Sequence, residues 1–122
     1  MFIKPSMLGF TAKDGVNLAE GFKVINTDFT THDETWTQPW GENKNIRNHY
    51  NEMAVHLSDT TNTKLTLRFR IFDDGLGFRY EYEVPGADSI LVTDELTAFN
   101  IAQDGISWSI PANYDTYELL YR

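Results

Sequence analysis

Apolar and polar side chains alternate along residues 64–84, and this is the clearest pattern in the sequence. Because successive side chains of a β-strand point to opposite faces, the alternation predicts half-buried strands. Two strands are predicted, and Asp74-Gly75 between them is a favoured pair for a tight hairpin turn. Their apolar positions are Leu65, Leu67, Phe69 and Ile71 in the first strand, and Leu76, Phe78, Tyr80, Tyr82 and Val84 in the second.

The position of this turn determines which residues of the two strands lie opposite each other. A two-residue loop at Asp74-Gly75 places Ile71 opposite Phe78, so that both apolar rows share one face of the sheet. A slip of one residue would place Ile71 among the polar side chains of the second strand, which a buried face does not allow.

The same register makes a prediction about charges. It places Arg68 opposite Glu81, a favourable cross-strand pair, and Arg70 opposite Arg79, an unfavourable one. We therefore expect Arg70 and Arg79 to point to one shared acidic partner. That partner is a carboxylate outside these residues, or else Glu34 or Glu52.

The rest of the chain has the same β character. Residues 47–57 alternate in the same way and predict a third long strand. Shorter strands, bounded by Gly, Pro or small polar residues, are predicted at 6–10, 21–26, 31–37, 89–93, 96–102 and 107–110. No window shows apolar residues recurring at helical spacing over the length of a helix. Many short strands separated by turns predict an all-β fold, an antiparallel β-sandwich.

Composition supports a folded chain and narrows the class of partner. The chain has 122 residues, of which 41% are hydrophobic and 14% aromatic, enough for one core. Its formal net charge is −8, so its field repels nucleic acids and anionic lipid surfaces. No stretch approaches the roughly 20 apolar residues of a membrane span. No basic leader precedes an apolar stretch, so we expect no export signal in these residues.

Residues suited to catalysis are scattered along the chain. It contains no cysteine. Three histidines lack the spacing of a zinc site: His32, His49 and His56. Adjacent carboxylates occur three times, at Asp33-Glu34, Asp73-Asp74 and Asp94-Glu95. Adjacency in sequence does not make a catalytic pair, so we predict that Asp73-Asp74 is a turn and that Asp94-Glu95 is a solvated strand end. Glycoside hydrolysis needs two carboxyls that flank one bond, and we predict that the chain alone has no such catalytic site.

Two tryptophans flank a proline in the polar segment 36–42. Trp36 and Trp40 are interpreted either as structural residues, partly buried in the core or in a lid, or as exposed rings that stack on sugars or anchor an interface. The structural interpretation is preferred, and the binding interpretation stays open.

A second aromatic and acidic segment occupies residues 108–118 and includes Tyr114. Its carboxylates, Asp115 and Glu118, are hard oxygen ligands of the kind that calcium prefers. Calcium takes six to eight such ligands, so these two do not complete a site, and Asp115 is expected to cap a turn.

Several runs of residues carry a resemblance to a known family. They are Ile3-Lys4-Pro5-Ser6, Asp33-Glu34-Thr35-Trp36, Trp40-Gly41-Glu42, Ile46-Arg47-Asn48-His49-Tyr50-Asn51-Glu52, Phe69-Arg70-Ile71-Phe72-Asp73-Asp74-Gly75-Leu76-Gly77-Phe78-Arg79-Tyr80, Ile110-Pro111, and Tyr114-Asp115-Thr116 with Glu118. In this order and at this spacing they resemble the N-terminal domain of glycoside hydrolase family 97, the bacterial α-glucosidases and α-galactosidases.

The resemblance implies a fold and a role. Members of this family look like three-part enzymes, with an N-terminal β-super-sandwich, a catalytic (β/α)8 barrel that carries the catalytic carboxylates, and a small C-terminal β-domain. Residues 1–122 are then part of the β-super-sandwich, which is not catalytic by itself and supports the barrel. The resemblance also implies a calcium ion in the complete enzyme, held mainly by barrel carboxylates and by one glutamate of the N-terminal domain, which falls on Glu118.

The resemblance further implies an α-linked oligosaccharide as substrate and a periplasmic or cell-envelope location for the complete enzyme. Relative to the family, the sequence begins inside the N-terminal domain and stops just beyond Glu118. Strands of the sandwich are then missing, and we expect open strand edges through which the chain self-associates.

Two alternatives stay open beside this interpretation. One is a carbohydrate-binding module that uses Trp36 and Trp40 as a stacking surface. The other is an interaction domain in which the tryptophans and Tyr114–Tyr117 dock on the barrel.

Overall fold

The structure is a computed structural model that describes residues 3–107. Over these residues, six strands form two antiparallel sheets, and helical structure is limited to one 3₁₀ turn. The strands are β1 (Phe10–Ala12), β2 (Lys23–Thr37), β3 (Asn45–Ser58), β4 (Lys64–Ile71), β5 (Leu76–Glu83) and β6 (Val92–Glu95). The large sheet has the order β2-β3-β4-β5, and the small sheet pairs β1 with β6. The predicted all-β, antiparallel sandwich class is confirmed.

The predicted strands agree best where the alternation is longest, in β3, β4 and β5. The predicted strands at 21–26 and 31–37 are one strand, β2, because residues 27–30 also pair with β3. The strands predicted at 6–10 and 89–93 correspond to β1 and β6, whose ends lie two to four residues later than predicted. Residues 96–102 form only an isolated bridge, and the segment predicted at 107–110 extends beyond the described residues.

The β4–β5 hairpin has a register two residues away from the predicted one. Ile71 pairs with Leu76 because the turn is centred on Asp73-Asp74, where the Phe72 amide donates to the Gly75 carbonyl at 2.8 Å. The turn predicted one residue later would need two positive φ angles, and neither residue adopts one. A shift of two residues leaves every side chain on its predicted face, so the alternation pattern is compatible with both registers.

The hydrophobic core lies between the small sheet and one end of the large sheet. Leu18 is fully buried, and it packs with Phe10 of β1 and Leu65 of β4. The Phe10 ring meets Tyr80 and Tyr82 of β5 edge to face, with centroids 5.3 and 5.6 Å apart. Aromatic pairs in this geometry add to the stability that burial already provides. These contacts fix the small sheet on the apolar face of the large one.

The chain approaches itself closely at Gly9, just before β1. Gly9 has φ of 115°, and a Cβ there would lie 2.5 Å from the Ala19 Cα atom. Its amide donates to the Tyr80 hydroxyl at 2.8 Å. Only glycine allows this approach, which brings Gly9 against Tyr80 of β5.

The other end of the same apolar face is exposed. Cross-strand pairing aligns Phe29, Met53, Phe69 and Phe78 in one row across all four strands. The rings of Phe69 and Phe78 stack at 5.9 Å. Phe29 is nevertheless 74% exposed, and Ile71, one row further along, is 58% exposed. Over residues 3–107, this end of the apolar face therefore lies outside the core formed by Phe10, Leu18 and Leu65.

The β2–β3 hairpin extends past the rest of the large sheet as a two-stranded ribbon. Strand β4 pairs with β3 only from Asn51 to Ser58. Within the described part of the chain, residues 32–37 and 45–50 therefore pair only with each other. Its closing turn is held by the Gln38 amide, which donates to the Lys44 carbonyl at 2.9 Å.

Residues 3–8 and 97–107 belong to a second compact unit, separate from Gly9–Leu96. Ile3 and Ile101 form an antiparallel bridge, and the Lys4 amide donates to the Asn100 carbonyl at 2.8 Å. The Asn100 side chain donates to the Pro5 carbonyl at 2.7 Å. Across residues 3–107, no helix has the length and hydrophobicity needed to span a membrane.

Leu18→Ala tests the position of the core. We expect it to lower the free energy of unfolding by about 3 kcal/mol, because it removes a fully buried side chain and leaves a cavity. Leu91 is exposed, so the matched variant Leu91→Ala is expected to cost no more than about 0.5 kcal/mol. Urea unfolding measures both values, and equal losses would contradict this core.

Candidate functional site

Five charged residues on the polar face of the large sheet form what we call the arginine cluster. Arg70 lies opposite both Glu52 of β3 and Gly77 of β5, and Arg68 lies opposite Arg79. Residues at alternate positions share a face, so side chains from three neighbouring strands meet there. The cluster consists of Glu52, Arg68, Arg70, Arg79 and Glu81.

Arg68 joins the two carboxylates of this cluster. It donates from Nε and Nη2 to the two oxygens of Glu81, at 2.8 and 2.9 Å, and from Nη1 to Glu52. Arg70 donates from Nε to the other Glu52 oxygen at 2.6 Å. Arg79 donates from Nε to Glu81 at 2.8 Å. The network therefore runs from Arg70 to Arg79 through Arg68.

This arrangement corrects two of the predictions about charges. The unfavourable cross-strand pair is Arg68 with Arg79, and Arg70 faces a glycine, because the register differs by two residues. Among residues 3–107, Arg70 and Arg79 bind different carboxylates, so neither Glu34 nor Glu52 is a shared partner, and a shared carboxylate outside these residues stays a prediction. The Arg68–Glu81 ion pair forms as predicted, but across the diagonal of the ladder.

The network keeps both glutamates ionised. Hydrogen bonds from Arg68 and then Arg79 lower the pKa of Glu81 to about 2, although partial burial opposes the shift. The pKa of Glu52 is lowered mainly by its hydrogen bond from Arg70, and its side chain is only 11% exposed. At neutral pH the cluster therefore holds three positive charges and two negative ones. Its surplus is positive in a chain whose net charge is −8.

A pocket of about 200 Å³ opens beside the cluster, and we call it the Gly77 pocket. An added Cβ on Gly77 would have no atom within 4 Å, so the glycine leaves open space opposite Arg70. The Arg70 guanidinium lies 4.4 Å from the centre of the Tyr50 ring, in cation–π geometry. The residues that line the pocket are Arg68, Arg70, Phe72, Gly77, Phe78 and Arg79.

The sequence contains a signal for this pocket that is separate from the alternation of apolar and polar residues. A glycine inside a strand often marks the place where another group approaches the backbone. Gly77 interrupts the polar row of β5 next to Arg79, the residue that the sequence places in an unfavourable pair with another arginine. The pattern does not reveal its partner, because the partner depends on the register.

The two tryptophans predicted as candidates lie at the end of the ribbon. Trp36 pairs with Ile46 near the end of β2 and is 46% exposed, and Trp40 lies in the closing turn and is 75% exposed. Over residues 3–107 neither ring contacts another aromatic ring. Both rings are therefore exposed in this chain, and the preferred structural interpretation stays a prediction. Exposure makes both rings accessible, and sugar stacking stays a prediction.

Two further candidates, Tyr114 and Glu118, lie outside the described residues, as does Asp115. Among residues 3–107, no three His, Cys, Asp or Glu side chains come together as a metal site. Asp33 and Glu34 bind different partners, Arg47 at 2.7 Å and His32 at 3.1 Å. The Asp73-Asp74 pair is a turn, as predicted.

The histidines are also dispersed in this part of the chain. The His56 ring bonds with the Thr66 hydroxyl at 2.9 Å and with Asp28 at 3.0 Å, which links three strands. His32 stacks on Tyr50 with ring centres 5.0 Å apart. Both histidines therefore have structural contacts.

Comparison with known proteins gives one consistent family. The protein-family model described as glycosyl hydrolase 97 N-terminal matches residues 1–122 of this chain. A family 97 enzyme from Pseudoalteromonas sp. strain K8 is 32% identical, with a TM-score of 0.84. The match covers 99% of this chain and 19% of that enzyme, whose structures include complexes with acarbose and with panose.

A β-arabinopyranosidase is also similar, with a TM-score of 0.72 and 25% identity over 83% of this chain and 16% of that one. The chain thus spans about a fifth of the length of the enzymes that it matches. The family match over all 122 residues agrees with the all-β fold and with the sequence resemblance. The chain belongs to glycoside hydrolase family 97, and it corresponds to the N-terminal domain of that family.

Proposed function

We propose that this chain is a non-catalytic part of an α-glycosidase and supports its catalytic domain. The observation that carries the proposal is the match to the Pseudoalteromonas enzyme, which includes almost all of this chain and leaves about four fifths of that enzyme outside it. A glycosidase needs two carboxyls on either side of one bond, and the family's pair is proposed to lie on the catalytic barrel.

The surface of the chain supports this scaffold role. Phe29 and Ile71 expose apolar area at one end of the large sheet, and such a patch favours contact with another protein surface. The ribbon of residues 32–37 and 45–50 is a second surface suited to contact, because within residues 3–107 its two strands pair only with each other. An isolated two-stranded hairpin of this kind is only marginally stable in water. We propose that the catalytic domain of the same parent protein covers both.

The substrate proposed for the parent is an α-linked oligosaccharide. Acarbose and panose occupy structures of the Pseudoalteromonas enzyme, which is the better match of the two enzyme types. The more distant match to a β-arabinopyranosidase suggests that this domain is compatible with more than one sugar specificity. We further propose a periplasmic or cell-envelope location for the parent, on the family resemblance alone.

Glu118 is proposed to donate one carboxylate to a calcium ion in the parent enzyme. The assignment rests on the family motif, and calcium chemistry fits because the ion prefers carboxylate oxygens. The ion would hold nearby carboxylates in place and supply positive charge next to the sugar.

Glu118→Gln in the complete enzyme tests this role. We expect calcium affinity to fall at least about tenfold, because affinity depends on the number of charged ligands. Calorimetric titration measures the affinity, and Glu42→Gln, which changes an exposed glutamate in the ribbon turn, is the matched control. Unchanged calcium affinity in Glu118→Gln would refute the assignment.

The competing module hypothesis is supported by the exposure of Trp36 and Trp40. If the chain is a scaffold, adding maltooligosaccharides should leave its tryptophan fluorescence unchanged. If it is a binding module, fluorescence should shift to saturation, and Trp40→Ala should abolish the shift. The same titration with a non-carbohydrate polyol is the control for viscosity and refractive index.

Self-association is also proposed for the chain without its parent. Strand β2 forms one edge of the large sheet, has 15 residues, and is exposed over most of its length, including Phe29. Open edges of this kind pair with other chains. We expect the mass from light scattering to rise with concentration, and Phe29→Lys to keep the chain monomeric, since it adds a charge beside the edge. A constant monomer mass for the unmodified chain would rule this out.

A further inference from the structure

We infer that the Gly77 pocket is a binding site for a carboxylate that carries a short apolar stem. The ligand class follows from three features of the pocket: its hydrogen-bond donors, its charge and its shape. None of these features depends on calcium or on the role of Glu118, so the test of this inference is independent of the proposed function.

Donors are available on both sides of the pocket. A guanidinium carries five N–H donors, and over residues 3–107 Arg70 hydrogen-bonds only through Nε. Arg79 directs Nε and Nη2 to a single oxygen of Glu81. Arg70 and Arg79 line the pocket and each carries further N–H groups, whereas Arg68 already binds through all three nitrogens.

The charge of the cluster fits one monoanion. Three guanidiniums face two carboxylates, and one further carboxylate would make the cluster neutral. Glu52 and Glu81 are already fixed as acceptors for Arg68, so they orient the arginines before a ligand binds. Charge-assisted bonds between guanidinium and carboxylate are among the stronger hydrogen bonds in proteins. A neutral sugar would leave the surplus charge unpaired.

The shape of the pocket accounts for the apolar stem. The open space over Gly77 lies opposite Arg70, so a carboxylate that enters there faces a guanidinium. Phe72 forms an apolar wall, and its ring also contacts Tyr50, with centroids 5.4 Å apart. A volume of about 200 Å³ holds a small acid or the side chain of an aspartate or glutamate.

Two sources can supply this carboxylate: a free small acid, or an acidic side chain from the part of the parent outside this chain. The test uses propionate, which reproduces the carboxylate and stem of a glutamate side chain, and propionamide as its neutral counterpart. Phenylglyoxal modifies accessible arginines, and peptide mass spectrometry measures the rate at each one. Arg47 is the internal control, because it is more than half exposed and pairs with Asp33 on the ribbon.

In the full chain, propionate should slow the modification of Arg70 and Arg79 and leave Arg47 unaffected. At about four times its dissociation constant, it should slow both about fivefold, because mass action leaves a fifth of the pockets empty. Gly77→Leu should abolish the protection, since its side chain fills the pocket without backbone strain. Gly105→Leu, at another open glycine, should leave the protection unchanged.

The same measurement in the complete parent separates the two sources. Protection that is present without propionate and is removed by Gly77→Leu identifies an acidic side chain of the parent. Protection that needs propionate identifies a free ligand. Equal protection by propionamide, protection of Arg47, or protection that survives Gly77→Leu would each overturn the inference, as would no protection in either protein.

Discussion

The fold depends on the contact between Phe10 and the tyrosines of β5. Phe10 lies on a strand of only three residues, which has too few backbone hydrogen bonds to hold the small sheet in place by itself. Its ring packs against Tyr80 and Tyr82, Leu18 fills the space beside it, and Gly9 lets the chain approach closely enough for both. The burial of a few large side chains therefore decides where the two sheets meet.

That contact covers one end of the apolar face, and the exposed end bears on function. Phe29 and Ile71 lie in rows of the same sheet as the core residues and have the same chemical character, yet they are exposed. A domain that exposes apolar area of this kind is suited to packing against a larger partner. The scaffold role proposed for this family member is consistent with that surface.

The polar face follows a different principle, in which charges are balanced across strands. Arg68 and Arg79 face each other and would repel, but Glu81 binds both, and Glu52 joins Arg68 to Arg70. The carboxylates remain ionised because each accepts hydrogen bonds from two guanidiniums. The network orders the arginines and leaves one positive charge in surplus beside the Gly77 pocket.

The sequence by itself determined the all-β class, the strands β3, β4 and β5, and the face on which each of their side chains lies, because alternation is a local property with a period of two residues. It did not determine the register, since a slip of two residues preserves every face and the turn at Asp73-Asp74 competes with the one predicted next to it. Tertiary structure alone decided that Arg70 faces Gly77, that a pocket opens there, and which end of the apolar face is covered. Those outcomes depend on contacts between residues far apart in the chain, such as Phe10 with Tyr80, which no local pattern encodes.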